Sequence, residues 1–337
     1  MSPVSPAILS KMKPRILLTG KSGQVGAELA VMLPKLGEVV ALDRQQLDLS
    51  KPDDVRRTIR EIRPVIIVNA AAYTAVDQAE KEEILAWAIN VEAPALMAQE
   101  AKKIGAGLIH YSTDYVFDGS SHSPYLEDDH PNPISVYGKT KLAGERAIQD
   151  VGLPYLIFRT AWIYGTRGRN FLLTILRLAS QREDLRIVDD QIGAPTWCRE
   201  IARGTISVLG KLSAHRQGEL SLPKPGGIYH MTAAGVTSWH GFAEAIVEEA
   251  SHAPLNLPWL AAATDGMLIA KRISPITTAQ YPTPARRPAY SVLSNSRLAQ
   301  HFGVQLTEWR AQLHSVFTDC TGSNFTASVG PSLNSNR

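Results

Sequence analysis

Residues 136–145 read VYGKTKLAGE, in which Tyr137 stands two positions before Lys139 and four before Lys141. On a helix, residues four apart share a face while those two apart diverge. The spacing therefore pairs Tyr137 with Lys141 and turns Lys139 away. A free tyrosine has a pKa near ~10, too high to exchange protons readily at neutral pH. A neighbouring ammonium favours the phenolate, and a fall of ~3 units would correspond to ~4 kcal/mol of differential interaction. The expected product is a general acid working near neutrality. A bare YxxxK also arises by chance, with the tyrosine packed on a sheet and the lysine in solvent, so the surrounding motifs must decide.

Upstream, HYSTDYVFDG (110–119) sets hydroxyls at the end of an apolar run. The carboxyl edge of a parallel sheet is where ligands bind. Ser112 and Thr113 alternate in direction along a strand, so one of them can orient the oxygen that Tyr137 protonates. Nearer the start, RILLTGKSGQVGAELA spaces Gly20, Gly23 and Gly26 as GxxGxxG between a strand and a helix. Glycines there permit a tight turn, a close approach of backbone to pyrophosphate, and close helix–strand packing. The helix N-terminus adds free N–H groups facing the phosphate charge. Ser22, Gln24 and Val25 fall in the same stretch and are candidate cofactor contacts.

The second strand ends at Asp43, 23 positions after Gly20. A dinucleotide fold sets a carboxylate there for the adenosine ribose. Arg44 follows and suits a 2′-phosphate instead, so NADH and NADPH both stay open. Asp48 and Leu49, in LDLS, fall where a loop flanks an adenine. NAAAYT (69–74) closes the third strand with small residues, so that a cofactor can lie along Ala71, Ala72 and Tyr73. A bound dinucleotide is the inference these motifs support together.

These motifs need elements to hold them. Apolar, β-branched runs at 15–20, 39–43, 65–72, 107–114 and 155–161 alternate with helical patterns near 24–35, 52–62, 82–103 and 137–150. Nearly continuous apolar runs suit strands covered on both faces. Their alternation with helices implies a doubly wound parallel sheet of Rossmann type. After about residue 165 the rhythm loosens into helical patterns near 170–182, 196–210 and 239–250, with loops such as LSLPKPGGIYH between them. The expected division is a dinucleotide domain at 13–165 and a smaller α/β substrate domain at 166–317. A strand near 185–191 is expected to return to the first sheet if it joins any, and residues 1–12 and 318–337 are expected to be flexible tails.

The 337 residues carry a formal net charge of +3, with 44% hydrophobic and 20% charged residues. That balance gives no basis for nucleic-acid binding or a polybasic membrane patch. No apolar run approaches the ~20 residues needed to span a bilayer. Cys198 and Cys320 have no metal-ligand spacing, and a reducing, cytoplasmic setting is expected. His110, His230 and His240 show no ligand spacing either and read as structural.

The order of glycine loop, hydroxyl and YxxxK resembles the extended short-chain dehydrogenase/reductases. GKSGQVGAEL, VNAAAYTAVDQAE, HYSTDYVFDG, YGKTKLAGE, FRTAWIYG, DQIGAPT and YPTPARRP are similar, in that order, to blocks of the dTDP-4-dehydrorhamnose reductase family over about residues 15–290. The resemblance implies Thr113, Tyr137 and Lys141 as the catalytic set. It also implies hydride delivery from NADPH or NADH to C4 of a 4-keto-6-deoxy sugar on a nucleotide carrier. Sugar contacts carry over to Thr74, Val76, Asp114 and Trp162, and Arg287 is a candidate diphosphate partner. Some members of the family are magnesium-linked dimers. Glu28 matches one carboxylate of that contact, but the second slot holds Arg199, a cation that would repel a metal. No metal site is therefore assigned, and either a monomer or a homodimer is compatible. Two rival readings share these blocks: another nucleotide-sugar reductase or epimerase, and a non-catalytic subunit resembling the regulatory partner of methionine adenosyltransferase.

Overall fold

The computed structural model describes residues 13–215, 219–254 and 257–318. The tails expected at 1–12 and 318–337 lie outside that range, Thr318 excepted, as does Cys320. Six parallel strands form the main sheet: β1 (Arg15–Thr19), β2 (Glu38–Leu42), β3 (Ile66–Asn69), β4 (Gly107–Thr113), β5 (Tyr155–Thr160) and β6 (Gly227–His230). Their spatial order is β6-β5-β4-β3-β1-β2. The chain winds outward from β1 to β2 and then resumes on the far side of β1. The switch point between β1 and β3 opens a crevice at the carboxyl ends of these strands.

Strand alternation sends Ile16, Leu18, Ile66 and Val68 to one face and Leu17 and Ile67 to the other. The first face is covered by α1 (Gln24–Met32) and the helix Cys198–His215, through Val25, Leu29 and Ile201. The second takes α2 (Pro52–Ile62), α3 (Ala93–Ile104) and α4 (Val136–Val151), through Val55, Ile59, Met97 and Ile148. Each such aliphatic side chain contributes roughly 1.5–3 kcal/mol on burial, so the sheet is fixed from both sides. Sequence sets the helix ends. Ser135 caps α4 by accepting from the Gly138 N–H at 3.1 Å, and left-handed Gly105 and Gly152 end α3 and α4.

Two expectations are corrected. The strand near 185–191 spans Asp184–Val188 and pairs with Arg272–Ile276 in a separate two-stranded sheet, away from the main one. Its exposed Asp184 and Arg186 suit a pair with one wet face rather than a sheet covered on both. The sixth main strand is instead GIYH, which reads as loop in sequence. Its leading glycine gives little strand propensity, and the open edge of β5 supplies its pairing.

Candidate active site

The glycine loop hangs from the end of β1, where the Gly20 N–H donates to the Leu42 carbonyl at 2.9 Å. Gly20 has φ +76°, and a Cβ there would sit 2.8 Å from the Ala71 nitrogen. A Cβ on Gly26 would lie 2.0 Å from the Gly20 oxygen. Only glycine allows α1 and the 70–72 loop to close on the turn this tightly. Gly23 caps α1 without any side-chain cap, and Ser22 and Gly23 are exposed, so no side-chain cap occupies the first-turn N–H groups. That geometry fits a pyrophosphate.

Asp43 Oδ1 accepts from the Gln45 and Gln46 N–H groups at 3.0 and 3.2 Å, while Oδ2 lies 3.5 Å from Lys21 Nζ. Arg44 is exposed beside it. Asp48 binds Ser50, and Val25 and Leu49 are buried in the core. Gln24 Oε1 accepts from Asn170 Nδ2 at 2.9 Å. Ala71, Ala72 and Tyr73 line the end of β3, where the Tyr73 N–H donates to Asn90 Oδ1 at 2.9 Å.

At the end of β4 two of the candidate hydroxyls converge. A Cβ on Gly138 would lie 2.2 Å from the Tyr115 carbonyl oxygen, so this glycine lets α4 settle onto the turn after β4. Tyr137 thereby lies edge-on to Tyr115, with ring centroids 5.6 Å apart, and meets Thr113. Ser112 is buried on the other face, without a hydrogen-bond partner for its hydroxyl among the described residues. Burial pushes the Tyr137 hydroxyl up to about 12; Thr113 pulls it down and Asp114 adds to the rise. Asp114 accepts from the Thr113 hydroxyl at 2.9 Å, and burial pushes its carboxyl up to about 6 against the pull of Ser291 and Thr113.

Lys141 departs from expectation. It shares the face of Tyr137, but its Nζ donates to the Tyr111 carbonyl at 2.6 Å and meets His110 Nε2 at 3.0 Å. Burial pushes its ammonium down to about 8, with Glu145 pulling the other way. A lowered tyrosine is thus replaced by a raised tyrosine and a lowered lysine, because desolvation is the largest cause for each. Lys139 is exposed.

The sugar-contact candidates lie on several separate segments. Thr74 is exposed, and Val76 opens the short helix Val76–Ala79. Arg287 donates to Asp77 of that helix at 2.7 Å and also engages the Tyr115 hydroxyl. Trp162 follows β5 with φ +46° and lies flat on Trp239, at 3.5 Å and 3°. Glu28 and Arg199 form an ion pair at 2.9 Å. Among the described residues no group of three His, Cys, Asp or Glu side chains is placed to hold a metal. Nor is any described helix long and apolar enough to cross a membrane. Sequence reasoning missed Asn69, Tyr115 and Trp239 and set His110 aside. Asn69, His110 and Tyr115 stand inside the quoted blocks and Trp239 lies outside them, and the spacing of all four carries no signal.

A doubly wound sheet with a glycine loop at its switch point and a Thr–Tyr–Lys set at its carboxyl edge defines a Rossmann-type dehydrogenase/reductase. Comparison with known proteins narrows the class. The RmlD substrate binding domain family matches residues 12–321. A dTDP-4-dehydrorhamnose reductase of Burkholderia thailandensis is 48% identical over 296 residues, 88% of this chain and 95% of the relative. The crystal structure of a dTDP-4-dehydrorhamnose reductase from Clostridium acetobutylicum superposes with TM-score 0.78 at 36% identity, covering 90% of this chain and 98% of that one. One from Bacillus anthracis, in complex with NADP, gives TM-score 0.78 at 34% identity over 91% and 99%. The chain belongs to the dTDP-4-dehydrorhamnose reductase family.

Proposed function

We propose that this oxidoreductase uses NADPH or NADH to reduce the C4 ketone of dTDP-4-dehydro-6-deoxy-L-mannose, giving dTDP-L-rhamnose. The observation that carries the reading is the meeting of Thr113 and Tyr137 over the end of β4, beside a glycine loop that fits a pyrophosphate, in a chain of this family. The dihydronicotinamide, when bound, supplies the hydride that forms the new C4–H bond. Tyr137 gives its hydroxyl proton to the C4 oxygen, and Thr113 hydrogen-bonds that oxygen. A hydroxyl held near pKa 12 is fully protonated at neutral pH, as a proton donor must be. The phenolate left behind needs a hydrogen-bond donor, which is the role of Lys141, together with holding the nicotinamide ribose.

Asp43, Arg44, Asp48 and the 71–73 backbone hold the adenosine end. Thr74, Val76, Asp114, Trp162 and Arg287 hold the nucleotide sugar. In this reading residues 13–165 mainly carry the cofactor and 166–317 mainly carry the substrate. The enzyme works in the cytoplasm as a monomer or homodimer. Magnesium has no assigned role, because the carboxylate it would use at Glu28 is paired with Arg199.

The test is loss of dihydronicotinamide absorbance with the purified chain, the 4-keto sugar nucleotide made in situ, and NADPH or NADH supplied separately. Oxidation is expected. Tyr137→Phe should bind cofactor normally and lose roughly 10²–10⁴-fold in turnover. Full turnover by that variant would overturn the proton-donor assignment.

A further inference from the structure

Thr19, Asn69 and His110 stand at one level of three neighbouring strands. The parallel register aligns Thr19 with Asn69 and Asn69 with His110, and all three side chains are buried. Thr19 Oγ1 donates to Asn69 Oδ1 at 2.7 Å, and the Ala71 N–H donates to the same oxygen at 3.2 Å. Asn69 Nδ2 meets His110 Nδ1 at 3.1 Å, and His110 Nε2 meets Lys141 Nζ at 3.0 Å.

The protons along this row follow from the one donor that cannot be reassigned, the backbone N–H of Ala71. It holds the Asn69 carboxamide with oxygen toward Ala71, since the flipped amide would set N–H against N–H. Asn69 Nδ2 therefore donates and His110 Nδ1 accepts. Burial and the Lys141 charge both hold the His110 pKa well below its ordinary value, so the ring is neutral. A neutral imidazole carries one proton, which must then lie on Nε2, aimed at Lys141. An ammonium has donors only and would meet it N–H to N–H, whereas an amine offers a lone pair. The Tyr111 carbonyl accepts from either form.

We infer that His110, locked by Asn69 into its Nε2–H tautomer, is a positioning residue that favours the neutral amine of Lys141 and brings the lysine's titration into the working range of the site. The inference rests on the proposed function only for the place of Lys141 beside the reacting groups. The ionisable groups around the lysine are few. Glu145, one turn on along α4, favours the ammonium, but its carboxylate is already engaged by Arg159 from β5. Tyr137, one turn back, is protonated and neutral, and Asp114 acts on Tyr137. Charging Lys141 requires the His110 proton to move to Nδ1. That turns Asn69 over and releases the Ala71 N–H, in the loop that presses on Gly20. The charge on the lysine is thereby tied to the backbone along which the cofactor lies.

The test is a direct titration of Lys141 in the full chain, labelled with ¹³C at lysine Cε, the resonance being assigned by its loss in Lys141→Arg. The wild-type midpoint is expected near 8. His110→Gln, which can offer an oxygen to an ammonium, should raise it by at least about one unit. Thr19→Val leaves the Ala71 contact in place and should leave the midpoint where it was. An unchanged midpoint in His110→Gln, or an equal rise in Thr19→Val, would overturn the inference. The ¹⁵N shifts of the His110 ring need no substitution and settle the tautomer on their own: a protonated Nδ1 in the wild type well above the lysine's midpoint refutes it. No turnover is measured, so failure of the reductase reading would leave these outcomes unchanged and separately readable.

Discussion

Helix α4 buries two charged side chains one turn apart, and the fold treats them in opposite ways. Glu145 and Lys141 are each only 1% exposed. Glu145 receives a bidentate guanidinium, with Arg159 Nε at 3.0 Å and Nη2 at 2.7 Å, and Arg159 also lies 5.2 Å over the Phe117 ring. Lys141 receives no carboxylate of its own, only a carbonyl and an imidazole. Desolvation is similar for the two, so the counter-ion makes the difference. A buried charge with a fitted partner is locked, while one with neutral partners becomes titratable. The first anchors α4 to β5; the second leaves the candidate active site a group that changes charge near neutral pH.

The largest effect should come from breaking the locked pair. Arg159→Met leaves the Glu145 carboxylate buried and unpaired, and unfolding free energy should fall by ~3–5 kcal/mol. Replacing both partners, as Arg159→Met with Glu145→Leu, should recover most of that loss, because a well-packed apolar pair avoids both desolvation costs. Denaturant unfolding of the two single variants and the double variant gives the coupling. Additive losses would mean that the two side chains do not act as a pair.

The same contrast sets what sequence can show. Tyr137, Lys141 and Thr113 are legible because helix and strand periods fix their directions within a few residues. The glycine loop is legible because its neighbours in sequence are its neighbours in space. The partners of Lys141 are not. That its amine turns to Tyr111 and His110 depends on how α4 lies across β4, which no spacing within α4 encodes. Asn69 and His110 meet across 41 positions through strand register, Arg199 and Glu28 across 171, and Arg287 and Asp77 across 210. The expected fall in the Tyr137 pKa failed for this reason: the spacing showed a nearby cation but not the depth at which both groups sit. GIYH was likewise opaque, since its pairing belongs to β5.

A second, smaller effect separates the titratable charge from the locked one by pH. Lys141 has a folded pKa of about 8 against an ordinary value of 10.5. Between those values the lysine is neutral in the folded chain and charged in the unfolded one. The unfolded state then holds more protons, so stability rises with pH across that window. Below about 8 both states are charged and the burial cost is fully present. Lys141→Met removes this titration. Relative to that variant, the wild type should gain on the order of 3 kcal/mol from pH 8 to 10.5, at ~1.4 kcal/mol per unit. A constant difference between the two across that range would mean that Lys141 keeps its charge in the folded chain throughout.

The smallest effect belongs to the other lysine of the motif. Lys139 lies two residues from Lys141 on the same helix, but it is exposed and makes no side-chain hydrogen bond or ion pair in the described structure. Its charge is fully hydrated in both states, so Lys139→Ala should change stability by less than about 0.5 kcal/mol. Cofactor affinity and turnover should stay close to wild type, whereas Lys141→Ala should lose both. Measured side by side, the two alanine variants isolate burial from charge, since each removes one ammonium from one helix. Comparable losses from both would show that the net positive charge at this end of α4 matters, and that the depth of Lys141 does not.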